Sequence, residues 1–188
     1  MKLKDYIFVP LALFLTACEP IVSDVPDYLN RAFKWEVNVT AEDGISYSTT
    51  ITIGKDTIIN NQTYRLVGGY YPMRQKTKSI YLYDYRTKKD ILLYNFALHA
   101  GNSIELIDDP FSGTLNRKAK VLKTDIISLV DGREACRIEY ERIFPKHIDI
   151  EFVGDAERGI LGPLDNSLCK HTLVSFYEND KLIYSPSH

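Results

Sequence analysis

The feature that most restricts what this chain can fold into is a period of two. In "FKWEVNVT" the residues Phe33, Trp35, Val37 and Val39 fall on one side, and Lys34, Glu36, Asn38 and Thr40 on the other. That spacing is a strand with one face in a core. "AEDG" at 41–44 supplies a turn, and "ISYSTTITIG" continues the alternation with Ile45, Tyr47, Thr49, Ile51 and Ile53 on one side. Similar runs recur at 57–60, 63–68, 79–85, 90–95, 103–108, 118–130, 133–143, 147–153, 172–178 and 181–185, with turns expected at Asn60-Asn61, "DGR" and "END". No long amphipathic helix separates them, so parallel crossover units are excluded and antiparallel neighbours follow. The fold class expected is all-β with little helix: an antiparallel meander forming a sandwich or partly closed barrel.

The N-terminus has a different logic. Lys2 and Lys4 precede a nearly uncharged run, Tyr6 to Ala17, which is shorter than the roughly 20 residues that span a bilayer. Leu15, Thr16 and Ala17 then stand directly before Cys18. A basic start, an apolar middle, small residues and a cysteine in that order resemble a bacterial lipobox rather than the ordinary A-x-A secretory site. The resemblance implies cleavage before Cys18, a diacylglycerol on its sulfur and an acylated new amino end. One acyl chain binds a membrane marginally, and two or three hold it durably. Residues 1–17 are thus expected as a lipoprotein signal peptide and 18–32 as the lipidated cysteine and a tether. A single all-β domain is expected over 33–188. The implied place is the cell envelope, at the outer membrane, with the membrane as partner through the anchor.

With 23 basic and 25 acidic side chains, the chain carries no excess of positive charge for nucleic acid. Besides Cys18 there are Cys136 and Cys169, an even pair in a compartment that permits oxidation. They are either joined in a disulfide or two reduced thiols, one of them filling a core position.

Four motifs in order carry a further resemblance. "GKDTIINNQTYRLV" (54–67) is similar to G-D-T-x-I-N-G-K-T-Y, and "LLYNFALHAGNSI" (92–104) to L-L-Y-D-F-S-L-K-V-G-D-T-I. "IEFVGDAERGILGP" (150–163) is similar to W-I-E-G-I-G-S-x-x-G-L-L, and "LVSFYENDKLIY" (173–184) to L-L-C-F-x-D-N-G-x-x-I-Y. Together they resemble a broad group of small exported and lipid-anchored β proteins common in Bacteroidetes bacteria. This chain departs from that group at Asp149, where it has Trp, at Phe152, where it has Gly, and at Ser175, where it has Cys. The resemblance implies export and an all-β fold, and it brings no catalytic residue with it.

Candidate chemistry is sparse. His147, Asp149 and Glu151 alternate in "KHIDIEF", and over an extended strand they span about 13 Å at roughly 3.3 Å per residue, too far for one ion. A solvated strand face accounts for them, so no metal or cofactor is expected. Cys169 and His171, also two apart, have no visible orienting acid. His99 reads as a strand-end residue and His188 as part of a tail. No GxSxG, HExxH, phosphate-binding or dinucleotide fingerprint occurs. Gly154, Gly159 and Gly162 mark sharp bends rather than a phosphate cradle, since no helix follows them. Asp56, Thr57 and Ile58 resemble a short O-glycosylation sequon of the same bacteria. The chain has 13 tyrosines, and Tyr81, Tyr83 and Tyr85 alternate as a candidate aromatic surface for a glycan or an envelope protein. The expected function is a lipid-anchored, non-catalytic scaffold for binding or interaction. The alternatives are an envelope hydrolase and a carrier of an apolar ligand.

Overall fold

The computed structural model describes residues 25–109, 114–141, 147–165 and 169–186. The lipobox with Cys18, and His188, lie outside them. Six strands come first and pair in chain order: β1 (Phe33–Ala41), β2 (Ser46–Ile59), β3 (Gln62–Val67), β4 (Tyr71–Lys76), β5 (Ser79–Asp84) and β6 (Lys89–Asn95). The chain then builds a second sheet from β7 (Ser103–Asp109), β8 (Thr114–Ser128), β9 (Glu134–Tyr140), β10 (Ile148–Ile150) and β11 (Gly154–Asp155). It returns as β12 (Cys169–Glu178) and β13 (Lys181–Tyr184), with β12 laid against β1. The result is an eight-stranded antiparallel sheet and a curled five-stranded sheet shaped as a half-barrel. One 3-10 turn, Gly162–Leu164, is the only helical element among the described residues. The fold is all-β, as the period of two requires.

The apolar face of β1 supplies the centre of the core. Phe33, Trp35, Val37 and Val39 are all buried, and Trp35 packs on Phe176 of β12 at 5.1 Å between ring centres. Burying each such side chain contributes about 1.5–3 kcal/mol. Hydrogen bonds tie the large sheet to the chain that follows β10, including two from buried aromatic side chains. The Trp35 Nε1–H donates to the Val153 carbonyl at 2.9 Å, and the Tyr94 hydroxyl of β6 donates to the Gly159 carbonyl at 3.0 Å.

Four expectations are corrected. The domain begins before Phe33: Tyr28 is 0% exposed and Leu29 is buried, so part of the stretch assigned to the tether belongs to the core. Gln75 of β4 accepts from the Tyr28 N–H and donates to the Pro26 carbonyl, both at 2.7 Å, and Arg65 of β3 pairs with Asp27. The runs at 45–54 and 57–60 form one strand, β2, bent where its register with β3 shifts between Ile53 and Asp56. Strand β4 was not anticipated, because Pro72 and three polar side chains hide it. Pro72 pairs with Leu66 in the β3–β4 ladder and lies beyond the β4–β5 ladder, which begins at Met73. Finally, Ile45 and Tyr47 are exposed while Ile51 and Ile53 are buried, since the tip of the β1–β2 hairpin projects past the core.

Candidate functional site

The chain leaves β10 at Ile150, turns through Glu151–Val153 and comes back as β11, which sets Asp155 directly opposite Asp149. The turn forces Phe152 to a φ of +71°, a conformation that a bulky residue rarely adopts. Packing holds it there: the Phe152 ring meets Tyr28 at 5.6 Å between centres and lies under the Arg133 guanidinium. Two carboxylates facing each other across an antiparallel pair repel. Here a cation stands between them.

That cation is His147, one residue before β10. Its Nε2 lies 3.1 Å from Asp149 Oδ1 and its Nδ1 lies 3.1 Å from Asp155 Oδ2. Arg158 completes the group, its Nε and Nη2 donating to Asp155 Oδ2 at 3.0 and 2.5 Å. The Asp155 Oδ1 accepts the backbone N–H groups of Glu157 and Arg158, each at 2.9 Å. Tyr140 of β9 donates its hydroxyl to Asp149 Oδ2 at 2.9 Å. His147, Asp149 and Asp155 are 8%, 1% and 3% exposed. Burying unpaired charge would be very costly, so the group must balance internally.

It does so with His147 protonated: two carboxylates, one imidazolium and one guanidinium sum to zero. Burial by itself would push the His147 pKa down, but the Asp149 and Asp155 carboxylates outweigh it and raise the value to about 10. For Asp155, burial works against ionisation, and His147 and Arg158 overcome it to bring the pKa down to about 2. One atom is not accommodated. Asp149 Oδ1 is buried and has no hydrogen-bond partner; its approach to His147 Nε2 is close, but the two do not form a hydrogen bond. Single ligand atoms of His147, Asp149 and Asp155 lie within 4.8 Å of one another.

The expected alternation of His147, Asp149 and Glu151 is therefore only half realised, and its face is buried rather than solvated. Strand β10 ends before Glu151, whose carboxylate accepts the Tyr28 hydroxyl at 2.5 Å and the Cys136 N–H at 3.0 Å. Asp155 takes its place. Gly154 and Gly159 give this away in the sequence: both have positive φ, and a Cβ on Gly154 would lie 2.9 Å from the Ile160 Cα.

The other candidates separate. His171 does have an orienting acid, Asp165, which accepts from its Nδ1 at 2.5 Å and also from its backbone N–H. The Cys169 thiol beside it is pushed up by burial and by Asp165, which disfavours the thiolate nucleophile. Cys136, on β9, and Cys169, on β12, belong to different sheets and are not bonded to each other. Burial also raises the Cys136 thiol. His99 opens a turn, its backbone N–H donating to Asn102 Oδ1 at 2.9 Å. The tyrosine row divides: Tyr83 is buried against Tyr64, Tyr81 is half-buried and Tyr85 is exposed. Thr57 sits within β2, paired to Tyr64, with exposed Ile58 beside it.

An open groove of about 500 Å³ lies where the N-terminal strap crosses β3 and β4, lined by Val25, Leu29, Arg65, Met73 and Arg74 among others. Its charged lining differs from the enclosed apolar interior that a carrier of apolar ligands needs. The chain matches no protein-family model, no curated protein and no solved structure.

Proposed function

We propose that this chain is a lipid-anchored protein of the bacterial envelope, moored at the outer membrane through acyl chains on Cys18, whose β domain is a non-catalytic scaffold for a glycan or an envelope partner. The observation that carries the reading is the order Leu15, Thr16, Ala17, Cys18 after a basic start and an apolar run. The side-chain chemistry of the domain supports it. A general base must offer a lone pair, and His147, protonated between two carboxylates, has none. Both thiols are held above their ordinary range. Exposed Tyr70 and Tyr85 offer flat rings with hydroxyls to a partner.

The reading is tested in cells by comparing the full chain with Cys18→Ser. The parent is expected to take up labelled palmitate and enter the detergent phase, and the variant to do neither. Equal partitioning of both into water would refute the anchor. Turnover of chromogenic esters, glycosides or peptides, lost in His147→Gln or His171→Gln, would refute the non-catalytic part.

A further inference from the structure

We infer that His147 and Asp149, with Asp155 behind them, form a site for one divalent transition cation of the Zn²⁺ or Co²⁺ kind. The orphaned Asp149 Oδ1 points to it. That oxygen is buried, carries formal negative charge and accepts no hydrogen bond, whereas its twin Oδ2 is held by Tyr140. It is paired electrostatically with His147 Nε2 at 3.1 Å but has no hydrogen bond, and a buried carboxylate oxygen without one leaves free energy that a ligand would recover.

The geometry fits an ion at this point. Nε2 of His147 and Oδ1 of Asp149 are 3.1 Å apart. An ion about 2.1 Å from each would subtend an angle of about 95°, within the range that four- to six-coordinate cations accept. The other ring nitrogen, Nδ1, lies 3.1 Å from Asp155 Oδ2 and 3.1 Å from Arg158 Nη2. With the Nδ1 proton donated to Asp155 the Nε2 lone pair faces the metal position, and Tyr140 orients the ligating carboxylate. Asp155 is the orienting group rather than a ligand, because its two oxygens already serve Arg158 and two backbone N–H groups.

The donor set also selects the ion. An imidazole with a single carboxylate suits Zn²⁺, Co²⁺ or Ni²⁺, while Ca²⁺ and Mg²⁺ require oxygen ligands throughout. The His147 side chain is 10% exposed, and water would complete the shell of the ion. On binding, the ion replaces the proton on Nε2, which leaves to solvent, and the group passes from neutral to one positive charge. Arg158 therefore holds the affinity below that of a closed four-ligand zinc site.

The test uses untagged full chain in detergent, stripped with chelator and titrated with Zn²⁺ by calorimetry, then with Co²⁺ by visible absorption. One ion per chain is expected, at micromolar affinity, with Co²⁺ bands that Zn²⁺ displaces. Asp149→Asn should weaken binding at least tenfold, and Asp125→Asn, at an exposed ion pair on β8, should leave it unchanged. Tyr140→Phe, which keeps both ligands, should weaken binding about tenfold; it carries the test if Asp149→Asn does not fold. Absence of saturable binding at millimolar Zn²⁺ overturns the inference, and so does an isotherm that either Asp149→Asn or Tyr140→Phe leaves unaltered. Those results would leave a self-neutralised ion network.

Discussion

Asp149 and Asp155 face each other across the β10–β11 pair, with His147 joined to both, 3.1 Å from Asp149 Oδ1 through Nε2 and 3.1 Å from Asp155 Oδ2 through Nδ1. Opposed carboxylates in a buried ladder are tolerable only while a cation stands between them. The stability of this corner of the fold is therefore tied to what His147 carries.

In chelator, with no metal present, that link fixes the sign of the pH dependence. The His147 pKa is raised to about 10 in the folded chain, so its contribution is complete below about 6.5 and disappears as pH rises through 10. The Asp155 pKa is lowered to about 2, so its contribution is complete above about 3.8 and disappears as pH falls through 2. Chemical unfolding followed across pH should show greatest stability between about pH 4 and 6.5 and a fall of a few kcal/mol toward pH 10. His147→Gln should flatten the alkaline limb. An unchanged limb in that variant would place the titration elsewhere.

The bend that brings Asp155 to Asp149 gives a second prediction. A Cβ on Gly154 would meet the Ile160 Cα at 2.9 Å and the Tyr94 hydroxyl at 3.0 Å, with φ at +91°. At Gly132, φ is also positive but nothing lies within 4 Å. Gly132→Ala should cost about 1 kcal/mol, from backbone conformation alone, and Gly154→Ala about 3 kcal/mol or more. Urea unfolding of the two variants measures the difference.

The N-terminal boundary is testable by truncation. Tyr28 is wholly buried and its hydroxyl reaches Glu151 on the loop of the other sheet. A chain starting at Val25 should fold with full stability. One starting at Phe33 loses both Tyr28 and Leu29 from the core and should lose several kcal/mol, since emptying one large apolar site costs about 2–5 kcal/mol. Equal melting temperatures would return these residues to the tether.

The two thiols should be slow to react. Burial raises both, with Glu151 adding to the effect at Cys136 and Asp165 at Cys169. Iodoacetamide at pH 7.5 should label neither appreciably in the folded domain and both after unfolding without reductant. A mass showing a bridge between them would contradict the structure.

What the sequence disclosed, and what it withheld, follow from how local each signal is. Strand β1 was legible because Phe33, Trp35, Val37 and Val39 report one covered face through nearest-neighbour spacing alone. The Asn60-Asn61 and Asn179-Asp180 turns were legible because all four residues take positive φ there, which asparagine and aspartate tolerate. Strand β4 was hidden by Pro72, whose place in the ladder is a property of its neighbours. The site was half legible: His147 and Asp149 lie two apart in the sequence, but Asp155 joins them only through the turn at Phe152. Asp165 was missed beside His171 for a related reason, since a 3-10 turn delivers it from outside the strand. Tyr28 is not legible as a core residue, because a single buried ring in a short polar stretch has no period to announce it.

Mass spectrometry of the mature protein's first peptide tests the lipid anchor most directly. A chain beginning at Cys18 is expected, residues 1–17 removed, with the mass of two or three acyl chains on that residue. A mature chain that retains Leu15, Thr16 and Ala17, or begins at an unmodified Cys18, contradicts it.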